Sequence, residues 1–245
     1  LLNLFFGCMA IAATLQNGFV NYTNENGQQL LAIPEKIWMA SLFIGIAAVI
    51  DFLDGFVARL FKASSEMGKQ LDSLADVVSF GVAPGVIVYQ FLNLSLAANA
   101  DGLNTNSMYV LPAFIIPLAA AFRLARFNLD TAQSFSFKGM PVPAAGMLIA
   151  SFPLIYWYSD TPWMIQLLLN KWFWYAVIAF VSYLMVSTLT MQSLKFKDFS
   201  VKNNIPKIIL AAIAVVSFIF LKWAAVPVII ISYVLLSLLL KNKTA

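Results

Sequence analysis

Four aspartates, Asp51, Asp54, Asp72 and Asp76, fall within 26 residues of a chain that is 61% hydrophobic and 11% charged. Apolar runs flank them on both sides, W-M-A-S-L-F-I-G-I-A-A-V-I before Asp51 and V-V-S-F-G-V-A-P-G-V-I-V-Y after Asp76. Carboxylates at membrane depth are costly and mark a functional site by default. On a helix turning about 100° per residue, Asp51, Asp54 and Ala58 share one face with Gly55 beside them. Asp72 and Asp76, four apart, stack on one face of the next helix. The stretch between the pairs, L-F-K-A-S-S-E-M-G-K-Q, reads as a short turn at a water interface, so the two helices are expected to be antiparallel neighbours. Four carboxylates then converge near one membrane surface, where like charges repel strongly. Protonation or a metal relieves that repulsion. All-oxygen ligands suit Mg²⁺, Mn²⁺ or Ca²⁺, and a chain with no histidine and one cysteine is unsuited to a zinc site. The plainer alternative pairs the aspartates with Arg59, Lys62 and Lys69 as interface salt bridges. Against it stand the small residues Gly55, Ala58 and Gly68, which leave room for a helix or a ligand to come close.

The elements that must position these groups follow from hydropathy. In 245 residues this composition lies far from the soluble average and predicts an all-α, polytopic transmembrane helix bundle. Spans are expected over 1–20, 37–60, 71–98, 108–127, 144–158, 171–191, 207–221 and 224–240, the last two being a pair of crossings or one re-entrant hairpin. The polar stretches 21–36, 99–107 and 128–143 read as loops. Ser79, Gly81, Pro84 and Gly85 are expected to bend the third span against protein rather than lipid. The chain opens on Leu, without a charged leader, and upstream residues are expected. Cys8 has no partner for an internal disulfide. Placing the loop after the second span in the cytoplasm gathers twelve of the fifteen Lys and Arg residues on that side, leaving Lys36, Lys171 and Lys222 opposite. Trp38, Trp157, Trp163, Trp172, Trp174 and Trp223 fall near the external ends and read as interfacial anchors.

Two further stretches lie on the aspartate side. A-F-R-L-A-R-F-N closes the fourth span with Arg123 and Arg126. The pair either snorkels to headgroups or grips an anion through paired hydrogen bonds. F-K-G-M-P-V-P-A-A-G stiffens a link, and its Lys138 meets either a phosphate or the membrane surface.

The spacing D-x-x-D-G-x-x-A-R, eight residues, then G-x-x-x-D-x-x-x-D resembles the signature of the CDP-alcohol phosphotransferases, with Asp51, Asp54, Gly55, Ala58, Arg59, Gly68, Asp72 and Asp76 at the fixed positions. R-L-A-R-F-N, F-x-G-x-P-x-P-A-A, D-S-L-A-D-V-V-S-F-G-V-A-P-G and the opening L-L-N-L-F-F-G-C-M-A resemble the phosphatidylserine synthase branch. The resemblance covers about residues 1–150. It implies a six-helix core, here 1–192, with about two extra helices in 193–245. It also implies transfer of a phosphatidyl group from CDP-diacylglycerol to L-serine with release of CMP. Two divalent ions, Mg²⁺ or Mn²⁺ with Ca²⁺ as a substitute, would be held by Asp51, Asp54, Asp72 and Asp76, with Asp76 also the general base. Asp54, Gly55, Ala58, Arg59 and Gly68 would meet the CDP-lipid; Arg126 with Asn128, then Arg123 and Lys138, would meet serine or phosphate. The resemblance further implies a homodimer among membrane lipids. A bacterial cytoplasmic membrane with the site facing the cytoplasm is expected, and no nucleic-acid partner. Glycerol 3-phosphate or an inositol phosphate as acceptor, an intramembrane prenyltransferase, and a divalent-cation transporter are the competing readings.

Overall fold

The computed structural model describes residues 1–16, 20–23, 29–61, 65–97, 107–129, 136–192 and 201–239. Lys62, Lys195, Lys197, Lys241 and Lys243 lie outside these residues, as does the side chain of Arg59. Among the described residues ten α-helices carry the fold: α1 Leu2–Gln16, α2 Trp38–Leu60, α3 Glu66–Asp76, α4 Ala83–Ala97, α5 Ile115–Leu129, α6 Val142–Tyr158, α7 Pro162–Leu168, α8 Lys171–Val186, α9 Val201–Leu221 and α10 Ala225–Leu239. A π-helical turn, Val77–Val82, joins α3 to α4, so that Glu66–Ala97 forms one long helical run. That turn contains Ser79 and Gly81, two of the residues expected to bend the span, and the helical run continues through it.

The chain is an all-α, multi-pass membrane bundle. Among the described residues four helical runs are long and apolar enough to cross a membrane: Glu35–Ala58, Glu66–Ala97, Ser107–Leu129 and Asn204–Leu239. The pair α7 and α8, bent by 71°, makes a fifth if taken together, and α1 and α6 are shorter apolar helices packed among them. The eight expected spans correspond to these runs together with α1 and α6, the last two of them falling in the single run Asn204–Leu239. Asn170 caps α8 by accepting from Trp172 N at 2.9 Å, and Pro162 starts α7. The last run folds back on itself at Lys222–Ala224, where Lys222 takes φ +50°, and α10 returns alongside α9 and α6 to reach the strand Thr190–Gln192.

Two expected loops carry short antiparallel ribbons. Strands β1 Val20–Thr23 and β2 Gln29–Ala32 pair Val20 with Ala32, and β3 Ser136–Lys138 pairs with β4 Thr190–Gln192, Ser136 opposite Gln192. In the core, Phe91 stacks on Trp174 at 4.8 Å, and Phe152 meets the same ring edge-on at 5.2 Å. Trp174 is fully buried and donates from Nε1 to Leu168 O at 2.7 Å. It is therefore a core residue and not an interfacial anchor: the sharp α7–α8 bend turns it inward and supplies a carbonyl for its indole N–H.

Candidate metal and anion site

The helix that carries Asp72 and Asp76 begins five residues earlier than hydropathy predicts. Ser65 caps it, accepting from Gly68 N at 3.0 Å, and Glu66 places negative charge in the first turn. Gly68 therefore lies in the exposed first turn, packed on its own cap. Lys69 pairs with Glu66 at 2.9 Å. Among the described residues no ion pair joins a lysine or arginine to Asp51, Asp54, Asp72 or Asp76.

Helices α2 and α3 bring three of the four aspartates together. Carboxylate oxygens of Asp51, Asp72 and Asp76 all lie within 4.8 Å of one another. Asp51 is half-buried, Asp72 exposed and Asp76 buried, so the trio opens from the bundle interior to its rim. Asp54 stands outside the trio, exposed, yet close enough to repel Asp51 and Asp72. Gly55 and Ala58 are half-buried farther along α2. Three clustered oxygen anions suit a hard divalent cation.

One contributor was missed in the sequence. Asn3, 2% exposed near the start of α1, donates from Nδ2 to Asp76 Oδ1 at 3.0 Å, and its own Oδ1 finds no partner among the described residues. Ser79 Oγ in turn donates to Asn3 O at 3.0 Å. Gly7 lets α1 lie this close, since a Cβ there would fall 2.8 Å from Ser79 Cα. An amide in the apolar run L-L-N-L-F-F was the available signal, because an uncharged polar side chain in a membrane helix seeks a partner across a helix interface.

The cations divide by role. Arg123 is 6% exposed, faces Asp76, lies over the Phe127 ring at 5.1 Å, and has no partner for Nε. Arg126 donates from one terminal nitrogen to Val186 O at 2.7 Å and from the other to Ser187 O at 2.8 Å. It thereby closes the C-terminal end of α8, where unpaired carbonyls and the helix dipole favour a cation. Asn128 donates to Ser73 Oγ at 2.9 Å, tying α5 to the aspartate helix. Lys138 is exposed on β3. The glycine after it, Gly139, takes φ +75° and donates to Leu189 O at 2.8 Å, and a Cβ there would meet Met185 O at 2.6 Å. The F-K-G-M-P stretch thus seats the link against the end of α8. A separate cavity of about 130 Å³, lined by Tyr158, Asp160, Lys222 and Trp223, lies at the opposite end of the bundle and contains none of these groups.

The family model described as CDP-alcohol phosphatidyltransferase matches residues 1–180. Similar curated proteins include a CDP-diacylglycerol–serine O-phosphatidyltransferase of Helicobacter pylori (strain J99), 40% identical over 113 residues, which cover 45% of this chain and 44% of that protein. The protein of the same name from Bacillus subtilis is 36% identical over 121 residues, 49% of this chain and 63% of its own length. An archaetidylserine synthase of Methanothermobacter thermautotrophicus is 37% identical over 133 residues, covering 54% of this chain and 53% of that protein. The matched stretches thus span 44% to 63% of the length of these relatives.

Proposed function

Because the chain belongs to the CDP-alcohol phosphatidyltransferase family, we propose that it transfers a phosphatidyl group from CDP-diacylglycerol to L-serine, giving phosphatidylserine and CMP. The observation that carries the reading is the convergence of Asp51, Asp72 and Asp76 oxygens within 4.8 Å. These three, with Asp54 one turn along α2, would hold the divalent ions, Mg²⁺ or Mn²⁺. A divalent ion held there would neutralise charge on the diphosphate and on departing CMP.

Asp76 is the proposed base. The serine side-chain oxygen bonds to the lipid-side phosphorus, its proton passes to Asp76, and the bond from phosphorus to the CMP oxygen breaks with its electron pair leaving on CMP. Asn3 fixes the Asp76 carboxylate through Oδ1, which orients the other oxygen for proton transfer. Gly55, Ala58 and Gly68 leave space for the nucleotide, and Arg59 is carried as a nucleotide contact. For serine's carboxylate, the arrangement favours Arg123 over Arg126. Arg123 faces Asp76 with an unpartnered Nε, whereas both terminal nitrogens of Arg126 are engaged by α8. Asn128 and Lys138, at the same end, complete the polar rim. A cytoplasm-facing site in a homodimer belongs to the same proposal.

The test is CMP release from CDP-diacylglycerol by the purified protein in detergent with Mn²⁺ or Mg²⁺, supplied with L-serine, glycerol 3-phosphate or no acceptor. Release that requires serine is expected. Release with glycerol 3-phosphate alone keeps the family and overturns the acceptor.

A further inference from the structure

Helix α3 carries two of the three clustered carboxylates, yet it has little core of its own. Of its eleven residues only Ala75 and Asp76 are buried, and it leans on α1 and on the π-helical turn that continues it. The cap at Ser65 and the Lys69–Glu66 pair hold only its first turn. Among the described residues two side-chain hydrogen bonds tie α3 to other helices. Asn3 of α1 donates to Asp76 Oδ1 at 3.0 Å, and Asn128 of α5 donates from Nδ2 to Ser73 Oγ at 2.9 Å. The second bond ends on a neutral hydroxyl between Asp72 and Asp76 in the chain, and it leaves the carboxylates free.

The two struts arrive from different helices and hold different sides of α3. Ser73 lies about 100° round the helix axis from Asp72 and about 60° from Asp76. A helix pinned at Asp76 alone can roll about that point. A roll of about 10° carries a carboxylate ~5–6 Å from the axis by about 1 Å, whereas metal–ligand distances hold to within about 0.2 Å. Asp72, the exposed member of the trio, therefore depends on something that stops the roll. The far end of the Ser73 strut is itself fixed. Arg126, two residues before Asn128, donates to Val186 O at 2.7 Å and to Ser187 O at 2.8 Å at the end of α8. We infer that Asn128 is a positioning residue for the cation site: through Ser73 it keeps α3 from rolling and holds Asp72 in register with Asp51 and Asp76. The inference rests on the reading of these three carboxylates as one cation site. It gives Asn128 a task other than meeting the acceptor, because its amide nitrogen is turned to Ser73.

The experiment follows Mn²⁺ binding to the full chain in detergent by electron paramagnetic resonance. It compares wild type, Asn128→Ala, Ser73→Ala, Ser73→Thr and the double alanine variant, and records KM for L-serine at saturating Mn²⁺ and the thermal midpoint beside each affinity. Either alanine variant removes the strut and is expected to weaken Mn²⁺ binding roughly three- to tenfold at a wild-type midpoint. The double variant should lose no more than either single one, since the strut is lost once. Ser73→Thr keeps the hydroxyl and is expected to keep the affinity. Should Asn128→Ala fail to fold, Ser73→Ala, which removes one oxygen, carries the test. Wild-type affinity in the alanine variants overturns the inference. So does a raised KM for serine in Asn128→Ala with Mn²⁺ binding unchanged, which marks Asn128 as a contact for the acceptor. Losses that add in the double variant, or that come only with a lowered midpoint, overturn it as well. The wild-type arm reports separately on the cation site: if wild type shows no saturable Mn²⁺ binding, that reading fails and the inference with it.

Discussion

Replacing Gly7 by alanine asks whether α1 must lie against the π-helical turn for Asn3 to hold Asp76. Gly7 and Asn3 are one turn apart on the same face of α1. The added methyl would overlap Ser79 Oγ and stand 2.8 Å from Ser79 Cα. The hydroxyl can rotate away, at the loss of its hydrogen bond to Asn3 O. The Cα cannot, so the helices must part by about 0.6 Å to restore ordinary carbon contact. Overpacking of this kind costs about 1–3 kcal/mol. The shift is passed directly to the Asn3–Asp76 hydrogen bond, and misplacing a reacting group by ~1 Å costs on the order of 10²-fold in rate. Gly7→Ala is therefore expected to lower the thermal midpoint in detergent and to cut serine-dependent CMP release by roughly ten- to a hundredfold. Gly45 is the control: it lies on α2 with nothing within 4 Å of a built Cβ, so Gly45→Ala should be neutral or slightly stabilising. A Gly7→Ala protein with wild-type midpoint and turnover would refute the claim that close approach of α1 builds the site.

Two further substitutions separate support from chemistry. Arg126→Ala strands the carbonyls of Val186 and Ser187 and should lower stability by about 2 kcal/mol, measured as the thermal midpoint, while raising KM for serine less than Arg123→Ala does. Trp174→Phe keeps most of the aromatic packing but leaves the Leu168 carbonyl without its donor, at a cost of about 1–3 kcal/mol. It should lower the midpoint and leave both KM values unchanged.

Much of the site was legible because it is written in short-range spacing. Two carboxylates four apart on one helix, and two more on the preceding helix, bring Asp51, Asp72 and Asp76 together once the chain turns between them. Asp54 shows the limit of that reasoning. It shares a helix face with Asp51, but one turn of rise carries it out to the exposed rim. The start of α3 was misplaced because the stretch before Leu71 is polar, and a capped first turn needs only Ser65 and Glu66, with no apolar face. What the sequence concealed was pairing across the bundle. Nothing local marks Arg126 as the closure of α8, Gly139 as a fit against Met185 O, or Trp174 as a core ring, since each depends on a helix end some fifty residues away or on a 71° bend. Asn3 sits in an apolar run whose hydropathy predicts a span and nothing more.

The measurement that bears most directly on the account is Mn²⁺ binding, followed by electron paramagnetic resonance on the purified protein in detergent, for wild type and for Asp51→Asn, Asp72→Asn and Asp76→Asn. Saturable binding that Mg²⁺ competes away, weakened at least about tenfold in each variant, is the result expected if the three carboxylates form one cation site. Wild-type affinity in all three variants, at unchanged thermal midpoints, would contradict it.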